Sequence, residues 1–150
     1  MKHTKLMSAF FGLTLAGTIA ASAQAEEMAQ YSIVDDSIPA SLTGKAGDAA
    51  NGKKVVINRK KGNCLACHVM PIPEEQFHGK TGPDLAGVAQ RLDEATLRMR
   101  IVDPKVINHG TMMPSFYKTD QHRVLKKFQG KTILSAQEVE DVVAYLMTLN

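Results

Sequence analysis

Tryptophan is absent from this 150-residue sequence, and cysteine occurs only twice. Phe10 and Phe11 lie in an N-terminal apolar run, so the folded part has only Tyr31, Phe77, Phe116, Tyr117, Phe128 and Tyr145 as aromatic residues. A chain of this length suits one domain and can bury a core, but with so few rings much of the apolar surface must come from elsewhere. Two cysteines are too few for a disulfide-dense scaffold. Charge of one sign is lacking too: 18 basic residues stand against 15 acidic ones, which argues against a nucleic-acid surface. There is no internal repeat, phosphate-binding loop or hydrolytic constellation.

The two cysteines stand in Gly62-Asn63-Cys64-Leu65-Ala66-Cys67-His68. Cys-x-x-Cys-His is the spacing of a covalent c-type haem site. Two thiols about one turn apart can each add to a haem vinyl group, and the following histidine can fill one axial position on the iron. Two other readings compete. A redox dithiol would need a strand–helix alternation, which is not evident. A zinc site would need two further ligands, with only His78, His109 and His122 as scattered candidates. Under the haem reading, the buried macrocycle supplies the apolar surface that the aromatic count lacks.

The N-terminus carries Lys2 and Lys5, then an apolar stretch from Leu6 to Ala21, then Ala23-Gln24-Ala25. This is the pattern of a signal peptide, residues 1–25, cleaved after Ala25; an uncleaved membrane anchor is the alternative. Without Lys2 and Lys5 the basic count falls from 18 to 16 against 15 acidic residues, close to neutral. Export agrees with haem attachment, because c-type maturation occurs outside the cytoplasm. Both thiols are then consumed, leaving none for a disulfide. Residues 26–44 are polar and read as an extended N-terminal arm outside the core, either a disordered leader or an ordered strap. The domain proper is expected over 45–150.

Asp48 fits the N-cap of a first helix whose buried face carries Ala49, Gly52, Val55 and Val56. Gly52 is unfavourable inside a helix by about 1 kcal/mol relative to alanine, so a packing reason is expected. Lys53, Lys54, Arg59, Lys60 and Lys61 form a basic run, either a solvated face or a steering surface for a redox partner. Residues 69–77 contain Pro71 and Pro73 and read as loop. In Gly82-Pro83-Asp84-Leu85, the Pro83 carbonyl is a candidate acceptor for the second ring N–H of His68; an ordinary turn is the alternative. Asp93 fits a second cap, with Leu97 and Ile101 buried and Pro104 ending the helix. Arg91, Arg98 and Arg100 surround it, and any one of them could meet a haem propionate.

His109-Gly110-Thr111-Met112-Met113-Pro114 reads as the distal loop. A thioether opposite a histidine raises haem potential. Met113 is favoured over Met112 because Pro114 restrains the backbone that presents it; Met112 should then pack inward. His109 is a more distant candidate. Residues 118–131 form a polar connection with a short helical piece expected around 124–128. Ser135 and Glu138 fit a capping box, followed by an apolar stripe of Val139, Val142, Val143, Leu146 and Leu149. Tyr145 is expected to pack where Gly52 leaves room.

This order of elements resembles a class I cytochrome c. Several runs more closely resemble the SoxX family, the monohaem subunit of the SoxAX sulfur-oxidation cytochrome. They are Gly62–His68, Gly82–Leu85, Arg98–Pro104, Met113–Tyr117 and Gly130–Leu146. One departure is Asn108-His109, where the family has Asn-Pro. The resemblance implies an all-α fold of three to five helices around one covalently attached haem c. It implies attachment through Cys64 and Cys67, and iron held by His68 and Met113. It implies periplasmic localisation, a SoxA-type partner subunit in a heterodimer, and conjugation of thiosulfate to the SoxYZ carrier with bond formation on SoxA. Electrons then pass to a downstream soluble cytochrome c. A free-standing electron shuttle serving a terminal oxidase is the alternative, and a haem-based gas sensor is a third reading.

Overall fold

The Asp48 carboxylate accepts hydrogen bonds from the backbone N–H groups of Ala50 and Asn51, and so starts helix α1, Ala49–Ile57. The computed structural model describes residues 28–121 and 124–150; the expected leader and His122 lie outside them. Asp93 accepts from the Thr96 N–H to open α2, Glu94–Val102. Asp103 then ends α2 and caps a further short helix, α3, Pro104–Ile107, with proline at its first position. The sequence reading had Pro104 only as a terminator. Proline lacks an N–H and has its φ preset, so it both stops one helix and starts the next. The last helix, α4, Ala136–Leu146, has the full expected capping box of Ser135 and Glu138. Between α3 and α4 the regular structure is a 3₁₀ turn, Lys126–Phe128, within the short piece expected there.

No strand occurs among the described residues, only an isolated Val34–Ser37 bridge. Four α-helices make this the all-α fold that was expected. The centre of the fold is the crossing of α1 over α4. A Cβ placed on Gly52 would collide with the Asp141 carbonyl and lie 2.9 Å from Tyr145 Cβ. Gly47 meets the Glu140 carbonyl and Ala144 in the same way. Only hydrogen at these two positions lets the backbones touch, which is the packing reason that Gly52 required. Asp141 reinforces the crossing by accepting from the Asp48 N–H at 2.8 Å and from the Asn51 side-chain amide at 2.6 Å.

The arm corrects the sequence reading, because it belongs to the core. Ile38 is fully buried and Leu42 nearly so, both packed in the main apolar cluster. The Ile38 N–H donates to the Ala95 carbonyl at 3.1 Å. Arg98, buried, donates to the Ile38 carbonyl at 2.8 Å and forks onto both Glu140 oxygens at 2.9 and 3.0 Å. Glu140 Oε1 also accepts from the Leu42 N–H at 2.9 Å. One buried ion pair therefore ties α2, α4 and the arm together. Its three partners leave neither charge unsatisfied.

Candidate haem site

The attachment segment leaves α1 through Asn58, whose carbonyl accepts from the Asn63 N–H at 3.0 Å. Asn63 adopts the left-handed conformation, φ 49°, and so turns the chain into the 3₁₀ turn Cys64–Ala66. The Cys64 carbonyl then accepts from the N–H groups of Cys67 (3.1 Å) and His68 (2.9 Å). This local winding puts Cys64 on the wall of the interior and leaves Cys67 exposed at its rim. Burial pushes the Cys64 thiol up to about 12. That is opposite to the activated thiol of a redox dithiol, and no strand occurs among the described residues to house one.

The loop from 69 to 85 folds back under His68. The Gly82 N–H donates to the Cys67 carbonyl at 2.8 Å, and the Leu85 N–H donates to Val69 at 2.9 Å. Gly82 lies flat against the imidazole, where a Cβ would be 2.6 Å from Nδ1. This close approach brings the Pro83 carbonyl to 2.7 Å from His68 Nδ1. A carbonyl can only accept, so Nδ1 carries the proton and Nε2 keeps its lone pair for a metal.

His68, Cys64 and Met113 line one narrow cleft of about 40 Å³. Its other walls are apolar: Val56, Met70, Leu85, Ile101, Phe116, Leu134, Val142 and Leu146. These residues come from α1, α2, α4 and two loops, which explains why no single stretch of sequence displays the cavity. One thiol in the wall, Cys64, with Cys67 three residues on, an imidazole with a free lone pair and a thioether in the same apolar lining suit a haem. Zinc does not fit, since no group of three or more His, Cys, Asp or Glu residues converges among the described residues. His109 is exposed and absent from the cleft.

Met112 corrects a second expectation. It is 79% exposed rather than packed inward. The distal loop runs along the surface, so consecutive side chains face opposite ways and only Met113 turns in. Of the arginines, Arg98 is consumed by Glu140. Arg91 holds the carbonyls of Ala86 and Asp84 at 2.8 and 3.0 Å. Arg100 alone among the three has a buried Nε with no protein partner. The basic run is also partly engaged, with Lys53 2.5 Å from Glu74 and Lys61 paired with Glu138. Lys54, Arg59 and Lys60 remain exposed.

The sequence reading missed Glu140, Asp103 and Ser115. Asp103 carried a signal, an Asp directly before a proline at a helix start. Glu140 lies within the apolar α4 segment, and its partner is 42 residues away.

The cytochrome c family pattern matches residues 49–150, and the chain belongs to that family. A crystal structure of SoxXA from P. pantotrophus is 39% identical, with a TM-score of 0.73, covering 79% of this chain and 93% of that one. Within the family the chain is accordingly of the SoxX type, with haem c attached covalently at Cys64 and Cys67. The structure of ferric cytochrome c-550 from Paracoccus versutus is 27% identical over 69% of this chain and 98% of that one, with a TM-score of 0.39. No curated protein matches the chain.

Proposed function

We propose that this chain is the electron-accepting subunit of a periplasmic SoxAX-type complex that joins thiosulfate oxidatively to the cysteine of a SoxYZ-type carrier. The observation that carries this reading is the 39% identity to SoxXA, spanning nearly all of the matched chain. It is supported by a cleft whose lining brings His68 and Met113 together.

Haem c bound in this cleft supplies a one-electron carrier. The residues divide the remaining work. His68 would hold the iron through Nε2, its ring fixed by the Pro83 carbonyl at Nδ1. Met113, in the same cleft, would supply a thioether; a soft neutral ligand in this apolar lining would favour the reduced state. Arg100, whose buried Nε has no protein partner among the described residues, would meet a propionate, since Arg91 and Arg98 are already committed. With both thiols used in attachment and His68 and Met113 holding the iron, the chain would offer no nucleophile for sulfur chemistry. Bond formation therefore falls to the SoxA-type partner, and this chain passes electrons on to a soluble cytochrome.

Reconstitution tests this division. Thiosulfate and carrier are mixed with this holoprotein, with the partner, and with both. Haem reduction here is expected only when the partner is present. Carrier thiosulfonation by this chain alone would overturn the proposal, and partner-independent delivery of electrons to an oxidase would assign it as a free-standing shuttle.

A further inference from the structure

Asp103 lies between α2 and α3, ten residues before Met113, and it is 7% exposed. Its two oxygens are used in three directions. Oδ1 accepts from the Ser115 hydroxyl at 2.7 Å and from the Lys105 N–H at 3.2 Å. Oδ2 pairs with Lys118 Nζ at 3.0 Å. Ser115 and Lys118 belong to the segment just after Met113. Lys105, whose N–H the same carboxylate holds, extends its Nζ to the Met113 carbonyl at 2.9 Å.

The neighbouring backbone continues this pattern. The Phe116 N–H donates to the Ile101 carbonyl at 2.9 Å, and Tyr117 N–H donates to Val102 at 3.3 Å. Ile101 and Phe116 are both walls of the cleft. The loop that presents Met113 is thus registered on the end of α2 by two backbone bonds and one buried carboxylate. The loop has further anchors, the Phe116 carbonyl accepting from the Ile133 and Leu134 N–H groups at 2.9 and 3.0 Å and the Tyr117 hydroxyl from the Ala29 N–H at 2.8 Å, but the side-chain bonds of Ser115 and Lys105 meet at this corner. A buried carboxylate with both oxygens engaged by a hydroxyl, an amide and an ammonium is a stiff anchor.

We propose that Asp103 is the positioning residue for the sixth ligand. By holding Ser115, Lys118 and Lys105, it keeps the Met113 sulfur directed at the iron and keeps that position closed to other molecules. Asp103 touches neither the sulfur nor the cleft. The proposal rests on Met113 being the ligand.

The test uses the haem-loaded protein and two readouts, the absorption band of iron–methionine sulfur ligation and the affinity of added imidazole for the ferric iron. Wild type must show the band and Met113→Ala must lose it; otherwise the ligand assignment itself fails, separately from the role of Asp103. With that established, Asp103→Asn keeps the side chain's shape and an acceptor for Ser115 but removes the charge that holds Lys118. Its imidazole affinity is expected to rise roughly ten- to hundredfold, the equivalent of losing one charged hydrogen bond. Its band should weaken while far-ultraviolet dichroism stays unchanged. Ser115→Ala and Lys118→Met, each removing one partner, should shift the affinity in the same direction by less. They also keep the idea testable if Asp103→Asn does not fold. Wild-type imidazole affinity and an intact band in Ser115→Ala and Lys118→Met would overturn the proposal, as would the same result in a folded Asp103→Asn.

Discussion

Where α1 crosses α4, Gly47 and Gly52 let two backbones touch, and Asp141 bonds across the seam. On the other side of the same two helices, Val56, Val142 and Leu146 face a cleft. The first region is complete in protein atoms alone, with close packing and satisfied polar groups. The second is an apolar wall whose remaining partner is the haem. The difference separates what holds the fold from what the fold holds. Changes at the crossing should therefore act on stability, and changes at the cleft should act on the iron.

The largest stability loss is expected at the buried pair that locks the arm to α2 and α4. Glu140→Gln strands the Arg98 charge and weakens the bond to the Leu42 N–H, so about 3–5 kcal/mol should disappear from the denaturant midpoint of the holoprotein. A change below about 1 kcal/mol would show that the pair is dispensable and that packing of Ile38 and Leu42 suffices.

Gly52→Ala comes next. Alanine is the better helix former by about 1 kcal/mol. Its methyl would nevertheless strike the Asp141 carbonyl, a backbone group in a helix that cannot yield easily. A net loss of about 2–3 kcal/mol is expected in thermal or chemical unfolding, with an unchanged haem spectrum. A stabilised variant would mean the helices can part at no cost.

The crossing should also depend on acid. Burial pushes the Asp141 carboxyl up, but its bonds from the Asp48 N–H, Gln137 and Asn51 outweigh this and hold it below the ordinary aspartate value. A depressed folded value means the contribution is present above the unfolded value of about 3.9 and is lost as pH falls through the folded one. Asp141→Asn should flatten the stability–pH curve in that window and leave it parallel to wild type near neutrality. An unaltered acid limb would remove Asp141 from the account.

The smallest effect belongs to the adjacent methionines, and there the two regions separate most sharply. Met112→Ala, at an exposed position, should alter stability by less than about 0.5 kcal/mol and leave the iron–sulfur band intact. The same substitution at Met113 should abolish the band. Exchange of these outcomes would reverse the ligand assignment.

Much of this was legible beforehand for local reasons. Caps at Asp48, Asp93 and Ser135 act within a few residues of themselves, so they can be read in order along the chain. The same holds for Cys64-x-x-Cys67-His68, where covalent chemistry demands adjacency. The arm was misread because polarity averaged over residues 26–44 concealed two anchors, Ile38 and Leu42, whose burial depends on an ion pair formed far along the chain. Met112 was misplaced because the direction of a loop side chain has no periodicity to reveal it.

The sequence by itself determined α1, α2 and α4, their caps and the haem attachment, since each depends on neighbours within about one turn. Only the tertiary structure decided the rest. It brought Pro83 to His68 and turned Met113 rather than Met112 into the cleft. It also assigned Arg98 to Glu140, left the buried Arg100 Nε without a partner among the described residues, and gathered Ser115, Lys118 and Lys105 onto Asp103. These choices depend on which groups of similar chemistry come within hydrogen-bond reach once distant segments pack. That distance is a property of the packed chain and is not written in the spacing of its residues.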